Sequence, residues 1–294
     1  MKKLFCLLLI AGVTNSYAVV GGSGEFTPIA GSGSPFSQVH FFPKKGNKIL
    51  INGKLEVIPP GVGVISGGVI GTFNDASIDK QLHQKLQGST LYYVYVYMKD
   101  KTMIMDFSRT GHKEDETYGN QVNASDPTRS LIGMVYTTPE GKFLGSNRSQ
   151  LTTSWFNRGH TGLIQQLEGA QTDSASPKEV SSDYRLEWLQ WGINDTFKQG
   201  FTVPNIYVVG TVQNSQAGCN AQVALGIDAS QQSSFSGTFY QVDKKAQGVV
   251  STTIVGANGT NEGYHFATFL FSTGGTCGKA IMKSGAIYSS PLES

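Results

Sequence analysis

No stretch of this chain stays apolar for the roughly 20 residues that a membrane-crossing helix requires, so the sequence offers no helical anchor. Charge is scarce as well. Asp, Glu, Lys and Arg make up 15 % of the 294 residues and balance to a formal +2. Without clustered Lys and Arg there is no electrostatic footprint for nucleic acid or an anionic membrane. The motifs that announce common chemistries are missing too: no Gly-x-Ser-x-Gly elbow, no phosphate-binding Walker loop and no dinucleotide fingerprint. None of the five histidines (His40, His83, His112, His160 and His265) forms a His-x-x-x-His pair or stands at metal-ligand spacing from a cysteine. No cofactor and no metal site is expected. No repeat of about 20–50 residues is visible, which argues against a solenoid or propeller.

What is abundant is glycine, 36 residues, together with Ser, Thr, Asn and Gln. That composition describes short strands joined by many turns. The N-terminus reads as a secretory signal peptide over residues 1–18. Lys2 and Lys3 supply a positive start, Leu4 to Val13 an apolar run, and Ser16-Tyr17-Ala18 the small residues before a cut. Cys6 lies inside that run. The expected location is therefore secreted, extracellular or on a cell surface, with the periplasm an alternative. Removing the signal leaves Cys219 and Cys277, each in a Gly-flanked turn, in a chain routed to an oxidising compartment. A disulfide between them is expected, and closing about 58 residues would contribute roughly 4 kcal/mol in a loop-entropy model.

The fold expected is all-β: two β-sandwich or jelly-roll-like modules with at most one or two short helices. Residues 19–35, rich in Gly and Ser, read as an arm or linker, either disordered or ordered by docking on a neighbouring subunit. Residues 36–169 read as the first module, 170–182 as a linker and 183–294 as the second module, which carries the disulfide. Asn52-Gly53 between two apolar runs signals a hairpin. In residues 75–87, Ile78, Leu82 and Leu86 recur every four positions, the spacing of a short helix or a pair of turns. In Leu91-Tyr-Tyr-Val-Tyr-Val-Tyr-Met98 followed by Thr102 to Phe107, pairing Met98 with Thr102 would set Tyr97, Tyr95 and Tyr93 opposite Met103, Met105 and Phe107.

Tyr93, Tyr95 and Tyr97 are candidate ligand or subunit contacts, since tyrosine rings stack on sugars and bear hydroxyls; the alternative is a sheet face packed under a second layer. Trp188 and Trp191, with Tyr184, are candidates for a glycan platform. Being three apart, the two indoles face opposite sides of a strand, which favours core packing for one and edge exposure for the other. His112-Lys-Glu-Asp-Glu116 resembles a metal or acid/base cluster but reads better as solvated charge in a polar loop. Asp106, Glu187 and Asp228 are the acids to inspect for glycoside cleavage, which needs a facing pair, and each reads more simply as a strand-end or surface residue. Asn123, Asn147, Asn194 and Asn258 each open an Asn-x-Ser/Thr glycosylation pattern.

The aromatic run from Leu91 to Met98, the Asp106-Phe-Ser-Arg-Thr-Gly-His112 turn, Ser125-Asp-Pro-Thr-Arg-Ser-Leu-Ile-Gly-Met-Val135 and Ser154-Trp-Phe-Asn-Arg158 occur in that order. This block resembles a module of phage and prophage tail-fibre-like virion structural proteins, over residues 48–158. The resemblance implies a β-rich, non-catalytic module that often belongs to a multimeric surface assembly. Behind a signal peptide it points to a secreted structural or receptor-binding component of an appendage, filament or virion-like assembly. The expected partners are copies of itself or other surface or virion proteins, with multivalent contact replacing chemistry. The alternative from another class is a carbohydrate-binding protein or glycan hydrolase using exposed aromatic residues on a glycan receptor.

Overall fold

The computed structural model describes residues 24–28, 36–44, 46–60, 68–72, 76–78, 81–146, 148–156, 162–192, 205–229, 236–240, 247–254, 262–273 and 277–290. Residues 1–18, read above as a signal peptide, lie outside them. Strands dominate, and the one helical element among the described residues is a 3-10 turn at Ser182–Tyr184. Four main sheets and one separate hairpin form, and their cores show how they stack.

Sheet 1 pairs Gly24–Pro28, Gln38–Pro43 and Val69–Thr72. Sheet 2 centres on Leu91–Lys99, Thr102–Ser108 and Ser130–Tyr136, with His112–Glu114, Gln121–Asn123, Thr152–Ser154, Ala76–Ile78 and Gln81–Gln84 at its margins. Between them, Val39 and Phe41 of sheet 1 meet Tyr92, Val94, Val96, Met105 and Phe107 of sheet 2, closed by Ile49 and Ile51 of the Lys48–Val57 hairpin. That hairpin turns on Asn52 and Gly53 at φ 47° and 74°, the left-handed pair that a two-residue turn demands. A Cβ on Gly53 would also lie 2.5 Å from the Tyr118 hydroxyl.

Sheet 3 runs through Gly145–Ser146, Ser149–Gln150, Leu186–Gln190, Gly263–Ser272, Asn220–Ile227 and Ser236–Tyr240, with Lys178–Glu179 on the Gly263–Ser272 strand. Sheet 4 joins Ile164–Gln166, Ala280–Ser289, Ile206–Asn214 and Gly248–Ile254, with Gln171–Thr172 beside Ala280. Their shared core holds Trp188, Val223, Leu225, Phe269 and Phe271 from sheet 3 against Ile206, Val208, Val212, Met282 and Ile287 from sheet 4. Cys219 and Cys277 are bonded, with Cα atoms 5.6 Å apart, and tie the turn after Ile206–Asn214 to the approach of Ala280–Ser289. A third apolar cluster contains Tyr95, Leu131 and Met134 of sheet 2, Trp155, and Leu189 and Trp191 from the sheet 3 side. The two sandwiches therefore share a seam, and sheet 2 and the Leu186–Gln190 strand of sheet 3 are covered on both faces.

Four expectations need correction. The stretch 75–87 is not helical: Ala76–Ile78 and Gln81–Gln84 pair with each other, and Ala76 pairs with Phe107 at the margin of sheet 2. A lone helix this short is marginal, whereas a sheet edge offers the backbone ready partners. The tyrosine hairpin is out of register by one residue. Lys99 pairs with Thr102 and Met98 with Met103, because Asp100 and Lys101 make the turn at φ 48° and 67°. Since side chains alternate, this slip puts Tyr93, Tyr95 and Tyr97 on the face of Ser108, Asp106 and Ile104, and moves Met103, Met105 and Phe107 to the opposite one. Part of the 19–35 arm, Gly24–Pro28, pairs along its length with this chain's own Gln38–Pro43. Finally, the expected linker 170–182 carries Gln171–Thr172 and Lys178–Glu179, short strands of sheets 4 and 3. Their polar composition suits an edge as well as a linker, which is why composition misleads there.

Candidate functional site

The five aromatic candidates are placed by the layering. Even positions of Leu91–Lys99 (Tyr92, Val94, Val96) enter the first core, so odd positions face the seam. Tyr95 is fully buried and its hydroxyl donates to Thr110 O at 2.9 Å. Tyr93 packs at the seam and its hydroxyl donates to Glu262 Oε1 at 2.6 Å. Tyr97, further along the face, lies under the Arg129 guanidinium, 5.0 Å from the ring centre. Arg129 also holds Asp126 at 2.8 Å and reaches Oδ2 of the fully buried Asp106.

The two tryptophans do face opposite sides of their strand, but neither is exposed. Trp188 fills the second core and Trp191 the seam, at 1 % and 2 % exposure. The expectation of one exposed indole fails because sheet 3 has no free face at this strand. Trp188 Nε1 is buried with no hydrogen-bond partner among the described residues, while Trp191 Nε1 donates to Ser154 O at 3.3 Å. As the chain stands, Tyr95, Trp188 and Trp191 cannot touch an external glycan.

The seam is where unforeseen polar residues gather. His112 lies not in solvated charge but in this interface, with Nδ1 2.7 Å from Gln121 Oε1 and Nε2 3.1 Å from Glu262 Oε2. The Gly192 N–H adds a further donor to Glu262 at 3.2 Å. Around them, Trp155 and Trp191 meet edge to face at 4.9 Å, and the His112 ring lies 5.3 and 5.9 Å from those indoles. Burial works to raise the Glu262 carboxyl, but its hydrogen bonds from His112, Tyr93 and Gly192 and the His112 charge outweigh it and hold it below the ordinary value. On the other flank, Tyr136 stacks on Tyr264 at 4.1 Å, and Tyr264 donates to Glu187 Oε1 at 2.6 Å. Burial first, then the hydrogen bond to Glu187, pushes the Tyr264 phenol well up. The remainder of the 112–116 cluster behaves as read: Lys113, Glu114 and Glu116 are exposed, and Asp115 Oδ1 accepts from Thr117 and Tyr118 N–H.

The three acids singled out for hydrolysis are each engaged within the chain. Asp106 meets Arg129, Glu187 accepts from Ser149 at 2.8 Å and from Tyr264, and Asp228 accepts from Phe266 N–H at 2.8 Å and stands 2.7 Å from His265 Nδ1. Asn123 is no open glycosylation site, because it is buried and its Oδ1 accepts from the Ser125 N–H and hydroxyl and the Asp126 N–H. Asn147, Asn194, Asn258 and His160 fall outside the described residues.

An exposed apolar and aromatic surface lies on the outer face of sheet 4, at one end of the stack of layers. Register sets Ile164, Tyr288 and Tyr207 in one row, Gln166, Ala286, Val209 and Ser251 in the next, and Ser284, Thr211 and Val249 in a third. Ile164, Val209, Val249 and Tyr288 keep 50 %, 41 %, 78 % and 36 % of their surface exposed. The Tyr207 and Tyr288 rings stack at 5.1 Å. These rows carry no charged side chain; Lys283 stands beside them, at the bulge opposite Thr211 and Val212.

No family model matches the chain, and no curated protein matches it. Among solved structures it is similar to the insecticidal delta-endotoxin Cry8Ea1 from Bacillus thuringiensis, at 9 % identity and a TM-score of 0.26 over 87 % of this chain and 48 % of that one. A Bacillus thuringiensis Cry1Da tryptic core variant is similar at 11 % identity and a TM-score of 0.22 over 92 % of this chain and 51 % of that one. The chain thus spans about half the length of each toxin. Likeness at this level carries no argument about function.

Proposed function

We propose that this chain is an exported, non-enzymatic structural or receptor-binding component of an extracellular or surface assembly, and that it meets further copies of itself through the outer face of sheet 4. The observation that carries the reading is that uncharged face, where Ile164, Val209, Val249 and Tyr288 are exposed together. Two copies can appose such a face without bringing like charges together, and interface centres are depleted in charge and enriched in tyrosine. From strand spacing and side-chain repeat the rows cover about 400 Å². Two apposed faces then bury about 800 Å² in total, the size of a weak contact, which an assembly strengthens by repeating it. The resemblance of residues 48–158 to tail-fibre-like virion proteins and the signal-like segment 1–18 support the same reading.

The test is light scattering on the intact chain across a concentration series, beside Val209→Lys/Val249→Lys. The wild type is expected to associate as concentration rises, and the double variant to stay monomeric with an unchanged circular dichroism spectrum. A wild type that remains monomeric at every concentration refutes the self-contact. The same face also motivates a second reading, a glycan receptor held by Tyr207 and Tyr288, the stacked pair on its first row. A glycan-array signal lost in Tyr288→Ala but kept in Trp191→Ala would favour it over self-assembly.

A further inference from the structure

His112 and Glu262 are 150 residues apart in sequence and come from different sandwiches, yet their side chains meet at 3.1 Å with 8 % and 21 % exposure. In this arrangement both ring nitrogens of His112 face oxygen acceptors, Gln121 Oε1 and the Glu262 carboxylate. Only the doubly protonated imidazole can donate to both. A charge this enclosed is tolerated while its partner carries the opposite charge, and becomes costly once the pair is broken.

We propose that His112 and Glu262 form a proton-operated latch across the seam: protonated His112 holds the two sandwiches together, and loss of its proton loosens this flank of the interface. The other titratable groups facing the pair are Tyr93 and Tyr95, from Leu91–Lys99; Glu114, on His112's own strand, is exposed. Burial, then the nearby Tyr93 and Glu262, pushes the Tyr95 phenol far up, so it stays a neutral donor while an imidazole titrates. Glu262 is held ionised throughout that range. The mobile proton is therefore the one on His112, since imidazole is the side chain whose ordinary titration range lies closest to neutrality. Neutral His112 leaves a ring lone pair against an acceptor and Glu262 without its counter-charge, while Tyr93 and Gly192 still donate to Glu262. The seam is loosened, not unfolded.

Amide hydrogen exchange on the intact chain, normalised to intrinsic rates, reads this directly at Leu131–Met134 and Leu189–Trp191, with Phe269–Phe271 as an internal core reference. Between acid and mildly alkaline conditions, on either side of the imidazole range, seam protection is expected to fall about tenfold, the scale of one hydrogen bond to a charged group. Core protection should not change. His112→Gln is expected to show low seam protection at both pH values with no step between them, and Glu262→Gln, which keeps the shape and removes the counter-charge, the same flat profile. A wild type without the step, or His112→Gln retaining it, overturns the latch. Should neither variant fold, ring-nitrogen NMR of the wild type decides: shifts that move from imidazolium to neutral values together with seam protection support the proposal, and a ring that stays neutral throughout refutes it.

Discussion

Trp191→Ala separates a seam that binds the sandwiches from one that merely touches. Trp191 is 2 % exposed, so truncating it removes a large buried ring and leaves a cavity, at about 3–5 kcal/mol for a tryptophan. Within that total fall the edge-to-face contact with Trp155 at 4.9 Å, about 0.5–1.5 kcal/mol, and the hydrogen bond from Nε1 to Ser154 O, about 1 kcal/mol. The loss lies between the sandwiches, not within either. Trp188→Ala has a comparable magnitude but strikes the core of the second sandwich. Differential scanning calorimetry distinguishes the two. With Tm falling about 2–4 °C per kcal/mol in a chain of this size, Trp191→Ala should lower the midpoint by about 10 °C and split a single transition into two. Trp188→Ala, which leaves the seam intact, should lower the common transition without splitting it. If Trp191→Ala costs under about 1 kcal/mol, below the range for any buried tryptophan, the seam is not a packed core and the layered description is wrong.

Lys101→Gly should stabilise the tyrosine hairpin by about 1 kcal/mol, because Lys101 sits at φ 67° where a Cβ is disfavoured, and a raised urea midpoint is the readout. Reducing the Cys219–Cys277 bond should destabilise the second sandwich by about 2–4 kcal/mol; alkylation that finds two free thiols in unreduced, denatured protein would contradict the pairing. Glu179 accepts from Arg185 at 2.6 and 2.7 Å and from Thr268 at 2.7 Å, and the Arg185 hydrogen bonds, against burial, hold its carboxyl below the ordinary value. Its stabilising contribution is therefore present above the ordinary carboxylate range and lost as the pH falls below about 4, so Glu179→Gln should flatten the acid side of a stability-versus-pH curve, and an unchanged slope would refute the assignment.

The turn chemistry that could be read in advance is the kind written in special residues. Asn52-Gly53 names its own left-handed turn, and with Cys6 set aside in the segment read as a signal peptide, Cys219 and Cys277 have one pairing available. Lys99-Asp100-Lys101 carries no such mark, so the choice of two turn residues out of three was open, and one step of register exchanged the faces of a whole strand. Ala280–Ser289, a strand shared by the second core and the outer face, is hidden by Ser284-Gly285 at its centre, where a close approach to Gly210 favours glycine: a Cβ on Gly285 would lie 2.8 Å from Val209 O. His112 and Glu262 are too far apart in sequence for any local pattern to join them. One signal did exist. Tyr92–Val96 and Leu131–Val135 are apolar on both faces, and Leu186–Trp191 sets a Leu and a Trp on each; a strand with large apolar residues on both faces must lie between two layers.

That signal also bears on what a module is in this chain. Phe143 bridges to Phe36 on the first sandwich, Gly145–Ser146 and Ser149–Gln150 then lie in sheet 3, Thr152–Ser154 return to pair with Gly133–Val135 in sheet 2, and Ile164–Gln166 join sheet 4. The backbone crosses the seam repeatedly within about twenty residues, so a single cut anywhere along this stretch takes strands from one sandwich or leaves strands of the other behind. A cut would also expose Tyr95, Leu131, Met134 and Trp155 on one side and Leu189 and Trp191 on the other, an apolar area of the kind that drives association of a separated domain. Shared strands, the common core of tyrosines and tryptophans and the His112–Glu262 pair at its flank all act at the same boundary. The two sandwiches are thus held as one unit, and a partner surface is left to the outer layers, among them the exposed rows of sheet 4.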